Sequence, residues 1–170
     1  MTDNEQIKSL VTSVFPLKRF LYNKNGFMYI TLHALPKLLM FLRDDKRCRM
    51  SLADMFADQM TDSDTNEIAY VLKNFVMNAE FIIRAEIKNK AVSAAGIFPN
   101  AAALECEIYD MHGIFFTDND DLRRTLTDPA TIAGYPLQKD FPFYGIATPV
   151  YDRENGTIDI CEITEDEYDT

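Results

Sequence analysis

Apolar residues recur at helical spacing near the N-terminus. Ile7, Leu10, Val11 and Val14 fall at i, i+3, i+4 and i+7 and predict an amphipathic helix over Thr2–Val14, ended by Phe15-Pro16. Leu17–Tyr22 and Phe27–Leu32 then read as two strands joined across Asn23-Lys24-Asn25-Gly26, because Asn-Gly accepts the positive φ angles of a tight hairpin. The same apolar stripe returns in Leu35, Leu38, Leu39 and Leu42, with Pro36 in the first turn, where its missing N–H costs nothing. Three strands follow, at Met50–Ala57, Glu67–Val76 and Glu80–Lys88. The last alternates cleanly, with Phe81, Ile83, Ala85 and Ile87 on one face and mostly charged residues on the other. Helix, two strands, helix and three strands imply an α+β two-layer domain, its helices laid on one face of a mainly antiparallel sheet.

The pattern changes after residue 97. Pro99 opens a short helix and Gly113 closes it, with Leu104, Ile108 and Met111 as its apolar face. Glu105 and Glu107 are two apart and therefore point to different sides. Asp121 is placed to cap Leu122-Arg123-Arg124-Thr125-Leu126. Gly134-Tyr135-Pro136-Leu137 and Asp140-Phe141-Pro142 make two corners, and an extended C-terminal arm is expected there. The chain divides into a core domain (1–97), a corner-rich region and docking arm (98–145) and an acidic tail (146–170).

Composition adds limits. The 170 residues are 47% hydrophobic, enough for a sizeable core. No apolar run reaches the length of a membrane span, and MTDNEQIKSL has neither a signal core nor an Arg-rich transit character. The net charge of −10 argues against nucleic acid as a partner. That charge is uneven: residues 1–50 carry nine Lys/Arg against four Asp/Glu, and residues 148–170 carry one Arg against eight acids. The tail is either a solvated end or a segment that docks on a basic partner.

Cys48, Cys106 and Cys161 are dispersed and do not cluster with His33 or His112, so disulfide, zinc and iron–sulfur frameworks have no support. The Asp-x-Asp-x-Asn order at residues 62–66 lacks the Gly and Glu that a calcium loop needs. Nucleotide-binding glycine motifs and nucleophile motifs are absent.

The region from Ile97 to Gly145 resembles the 30 kDa-type core subunit of respiratory complex I, NADH:ubiquinone oxidoreductase. That family has an Ala-Asn-Trp-x-Glu-Arg-Glu helix followed by Asp-Met-x-Gly-Ile-x-Phe, then His-Pro-Asp-Leu-Arg-Arg-x-Leu, then Gly-His-Pro-Leu-Arg-Lys-Asp-Phe-Pro. Here Ala101, Glu105, Glu107, Asp110, Met111, Gly113, Ile114 and Phe116 match the first block. Asp121, Leu122, Arg123, Arg124 and Leu126 match the second, and Gly134, Pro136, Leu137, Lys139, Asp140, Phe141 and Pro142 the third. Ala103 replaces the family Trp, Cys106 an Arg, Asn119-Asp120 the His-Pro pair, Tyr135 a His and Gln138 an Arg.

The resemblance implies a non-catalytic core subunit of the hydrophilic arm of a proton-pumping enzyme complex. Such a subunit binds no cofactor itself; FMN, iron–sulfur clusters, NADH and ubiquinone belong to the assembly. Its partners are the subunit related to hydrogenase large subunits and the one holding the terminal iron–sulfur cluster. It sits on the matrix side of a mitochondrial inner membrane, or on the cytoplasmic face of a bacterial plasma membrane. The partner interface would comprise Glu105, Glu107, Asp110, Arg123, Arg124, Lys139, Asp140, Phe141, Phe143 and Tyr144.

Three choices stay open. Arg123 and Arg124 either offer planar forks to carboxylates across an interface or pair internally with Asp110, Asp121 or Asp128. The same family also serves membrane-bound [NiFe]-hydrogenase complexes. An unrelated reading makes Asp110, Asp118, Asp120 and Asp121 a hard-cation site of a metal-dependent hydrolase, with the two Arg clamping a phosphate.

Overall fold

A computed structural model describes residues 3–15, 20–22, 28–59, 65–129, 132–142 and 147–163. The Asn-Gly turn, the Asp-rich loop after Gln59, and Phe143, Tyr144 and Gly145 lie outside these residues. The elements are α1 (Asp3–Val14), β1 (Phe20–Tyr22), β2 (Met28–Ile30), α2 (Leu35–Asp44), β3 (Ser51–Gln59), β4 (Asn66–Asn74) and β5 (Ala79–Ile87). Then come β6 (Lys90–Val92), α3 (Ala101–His112), β7 (Phe115–Thr117), β8 (Ala147–Asp152) and β9 (Thr157–Glu162). Helix, two strands, helix and three strands appear in the predicted order.

The main sheet has the order β1-β2-β5-β4-β3. Its pairs are antiparallel except β2 with β5, which run parallel because α2, β3 and β4 intervene before the chain returns. Register sets one apolar face: Met28 opposes Ile83, Tyr70 opposes Ile83 from the other side, and Leu72 opposes Phe81. A bulge between Leu52 and Asp54 shifts the register so that Leu52 and Met55, three apart, both reach this face. The four leucines of α2 are all buried against it, as are Ile7 and Val11 of α1 and Ile108 of α3. All three helices thus share one core with one sheet face, which is the expected two-layer α+β arrangement. Val14 of the predicted α1 stripe is half exposed.

Several features differ from the expectation. Lys90–Val92 and Phe115–Thr117 form a parallel pair, too short to carry a strand pattern. Residues 122–126 are not helical. The acidic tail contains an antiparallel hairpin, β8–β9, with turn Asp152-Arg153-Glu154-Asn155-Gly156.

Candidate functional site

The region that carries the family resemblance is a lobe built around α3, and two of its acids, Glu105 and Asp110, serve as pegs. Glu105 is fully buried: Oε1 accepts from the Ala94 N–H at 2.6 Å, and Oε2 accepts from Ser93 Oγ at 2.7 Å and Asn119 Nδ2 at 2.8 Å. It therefore ties the chain after β6 and the loop after β7 to one helix. At the next position, Cys106 Sγ donates to the Asp121 carbonyl at 3.3 Å. Asp110, also fully buried, accepts through Oδ2 from the N–H groups of Thr125, Leu126 and Thr127 at 2.8, 2.7 and 3.0 Å, and through Oδ1 from Thr127 Oγ1. Those three amides explain the missing helix at 122–126, since they bond to a carboxylate and not to a helical ladder.

The electrostatics of the two acids differ. Burial pushes Glu105 above the ordinary carboxylate range, with its three donors pulling the other way. Burial also acts against ionised Asp110, yet the Thr127 hydroxyl and three backbone N–H groups outweigh it and hold the carboxyl below its usual range. Beside it lies Arg124, with Nε 4.0 Å from Asp110 Oδ1 and a side chain only 15% exposed. Its guanidinium donates to the carbonyls of Ile132 at 3.0 Å and Gly134 at 2.6 Å and lies 4.9 Å from the Tyr135 ring centroid.

Segment 132–142 is consequently not an extended arm but folds back. The Leu137 N–H donates to the Met111 carbonyl, Gln138 Nε2 donates to the His112 carbonyl, and the Lys139 N–H donates to Gln59 Oε1, each at 2.9 Å. Tyr135 covers Gly113, the left-handed cap of α3 at φ 71°. A Cβ at Gly113 would stand 2.6 Å from Tyr135 Cε2. Gly113→Ala is expected to cost about 2 kcal/mol, from the left-handed conformation plus displacement of the ring. Thermal unfolding should show a midpoint lower by about 4–8 °C, and an unchanged midpoint would mean the ring is not fixed there.

The predicted interface residues divide. Glu105, Asp110 and Arg124 turn inward; their assignment to a partner surface is corrected, because each spends its polar atoms on its own chain. Glu107, Arg123, Lys139 and Asp140 are exposed, and Phe141 is half-buried. Arg123 lies 3.4 Å from Asp121, both largely in solvent, so this pair holds nothing in place. Glu107 edges a groove of about 160 Å³ between β3 and the end of α3, lined by Met55, Phe56, Ile108, Met111 and Leu137. His112 also lines it; burial lowers its pKa, and its buried Nδ1 has no hydrogen-bond partner.

The hydrolase reading loses its ligand set: Asp110 is consumed, and among the described residues no group of three or more His, Cys, Asp or Glu is placed to hold a metal. Among the described residues no helix is long and apolar enough to cross a membrane.

Most departures from the family pattern have internal explanations. Asn119 bridges Glu105 and the Asp121 N–H, Cys106 bonds Asp121, Tyr135 carries Arg124 and Gln138 holds His112. The inward acids escaped sequence reasoning because hydrophobic periodicity treats Glu and Asp as solvent positions. The available signal was position: Ala101, Glu105 and Ile108 lie at i, i+4 and i+7 of one buried stripe.

The fold and site define a two-layer α+β domain in which Glu105, Asp110 and Arg124 lock a lobe beside an apolar groove with a charged edge. Residues 28–146 match the family described as respiratory-chain NADH dehydrogenase, 30 Kd subunit. The chain belongs to that family. The C-type subunit of NADH-quinone oxidoreductase from Wolbachia sp. subsp. Brugia malayi is 37% identical over 131 residues, 75% of this chain and 68% of its own. One of the same type from Rhizobium meliloti is 41% identical over 137 residues, 77% of this chain and 68% of its own. That of Bartonella quintana is 37% identical over 127 residues, 72% of this chain and 62% of its own. The chain thus spans 62% to 68% of the length of these bacterial relatives. A chain of the membrane-bound sulfane sulfur reductase, an archaeal respiratory membrane complex, superposes with a TM-score of 0.65 at 18% identity, covering 82% of this chain and 85% of its own. That likeness establishes shared fold alone.

Proposed function

We propose that this chain is a non-catalytic core subunit of the peripheral arm of a proton-pumping NADH–quinone oxidoreductase. It scaffolds the module that reduces quinone. The observation that carries this reading is the division of the signature charges. Glu105 and Asp110 are buried and Arg124 is largely so, each bonded within the lobe, whereas Glu107, Arg123, Lys139 and Asp140 remain outside, Glu107 on the edge of an apolar groove. A reaction centre needs reactive groups that a substrate reaches; a docking lobe needs fixed shape and an outward polar rim. NADH, FMN, iron–sulfur clusters and ubiquinone are handled by other chains of the assembly. The hydrogenase-large-subunit-like chain and the one that holds the terminal iron–sulfur cluster are the proposed neighbours. The assembly lies at the matrix side of a mitochondrial inner membrane, or at the cytoplasmic face of a bacterial plasma membrane.

Native electrophoresis with peptide identification tests this. The chain should migrate in a large NADH-oxidising assembly, and recovery from native membranes as a free monomer would overturn the proposal. Arg123→Glu should lower the assembled fraction several-fold while shifting the isolated chain's stability by about 0.5 kcal/mol at most, as expected for an exposed side chain.

A further inference from the structure

We infer that the β8–β9 hairpin is a preformed docking element whose apolar face seats in an apolar trough, rimmed by Lys and Arg, on another protein. The inference rests on the subunit reading above and adds the chemistry of one contact.

Strand pairing defines the face. Tyr151 opposes Ile158 and Pro149 opposes Ile160, so four apolar side chains share one side, with Ala147 and Glu162 at its open end. The other side carries Thr148 with Cys161, Val150 with Asp159 and Asp152 with Thr157. The hairpin is a sheet of its own, separate from the five-stranded sheet. Ile158, Tyr151 and Ile160 are 68%, 61% and 51% exposed, so nothing in the described fold covers this face. Such alternation normally marks one face packed on a core. A bare two-stranded hairpin is marginal in water, and a contiguous exposed apolar face marks an interaction site.

The hairpin is nevertheless specified locally. Asp152 Oδ1 accepts from the Glu154 and Asn155 N–H groups at 2.8 and 3.3 Å, and Oδ2 accepts from Asn155 Nδ2 at 2.6 Å. Gly156 takes the left-handed φ of 67° and donates its N–H to the Asp152 carbonyl at 2.9 Å. Turn chemistry thus sets the register before any partner arrives, which reduces the ordering cost of binding.

Charge selects the occupant. The hairpin carries Asp152, Glu154, Asp159 and Glu162 against Arg153, a net of −3, and four more acids follow by residue 169. An anionic lipid surface repels it. A second copy of the chain, at −10, does so too. A basic-rimmed protein surface is the complement. The intramolecular competitor is the basic segment of residues 1–50.

The test replaces the chain in its native assembly. Ile158→Asp with Ile160→Asp should reduce retention through a salt wash about tenfold or more, the effect of removing two central anchors. Asp159→Asn with Glu162→Gln should retain the contact at low salt and release it at lower ionic strength than the unsubstituted chain. A benzophenone crosslinker incorporated at Tyr151 should capture an apolar segment flanked by Lys or Arg on another subunit. Unchanged retention of both variants, or crosslinks only to lipid, to a second copy or to residues 1–50 of the same chain, would overturn the inference. If the unsubstituted chain is absent from any NADH-oxidising assembly, the subunit reading falls, and the identity of the Tyr151 crosslink still decides the hairpin.

Discussion

Arg124→Glu is expected to lower the melting temperature of the isolated chain by about 10 °C. Sequence alone left open whether this arginine faces a partner; the structure closes it inside. Its fork donates to two main-chain carbonyls and stacks on Tyr135, and Asp110 is its buried anion. A glutamate there loses both donors, faces two carbonyl oxygens and sits beside a like charge. Breaking a buried charge pair costs about 3–5 kcal/mol, and each kcal/mol shifts the midpoint by about 2–4 °C at this chain length. Arg124→Lys should fall between, because an ammonium keeps the charge but not the planar fork. Differential scanning calorimetry on both variants is the check. A midpoint within about 2 °C of the unsubstituted chain for Arg124→Glu, about 1 kcal/mol or less, would return Arg124 to the partner interface.

Asp110→Ala is expected to be equally severe, at about 3–5 kcal/mol. It orphans the N–H groups of Thr125, Leu126 and Thr127 and strips Arg124 of its anion. Its signature is also visible in pH. The folded carboxyl titrates below the ordinary aspartate value of about 3.9, so on the acid side the unfolded chain binds more protons. The stabilisation is present above that value and is lost as pH falls through the lowered folded value. The alanine variant should lose this part of the acid-side slope in urea midpoints measured against pH. Retention of the full slope would mean that another carboxylate supplies it. Because Asp110 and Arg124 share one network, the double variant should cost less than the sum of the two.

The lobe is held by contacts within its own chain, and the family departures take part in them. Asn119, Cys106, Tyr135 and Gln138 each make a contact to their own chain. The divergence is balanced within the subunit at these positions before any partner is considered. Ala103, which stands where the family has Trp, is exposed and has no such contact to explain it.

Local pattern sufficed for the core. The α2 stripe of Leu35, Leu38, Leu39 and Leu42 is buried at every position, and the alternation of Phe81, Ile83, Ala85 and Ile87 points wholly to one side. Those readings succeed because period and burial are the same physical statement: a side chain's direction follows from its place in a helix or strand. The family could be read from the ordered blocks between Ala101 and Pro142 for a similar reason, since shape-bearing corners and charges recur at fixed spacing.

Tertiary structure decided the rest. Whether a charged residue faces in or out depends on which donors the distant chain brings to it. Glu105 meets Ser93, Ala94 and Asn119; Asp110 meets residues 125–127; Glu107, two positions from Glu105, meets solvent. Three-residue strands such as β6 and β7 show no period, so only their mutual pairing makes them strands. The tail was acidic in either case; the cross-strand register placed Pro149, Tyr151, Ile158 and Ile160 on one face and turned a charge run into a surface with a direction. Sequence determined the core helices, the longer strands and the family through local periodicity and spacing. The long-range hydrogen bonds and strand register, set only when the chain closes on itself, determined which charges build the lobe and which remain for a partner.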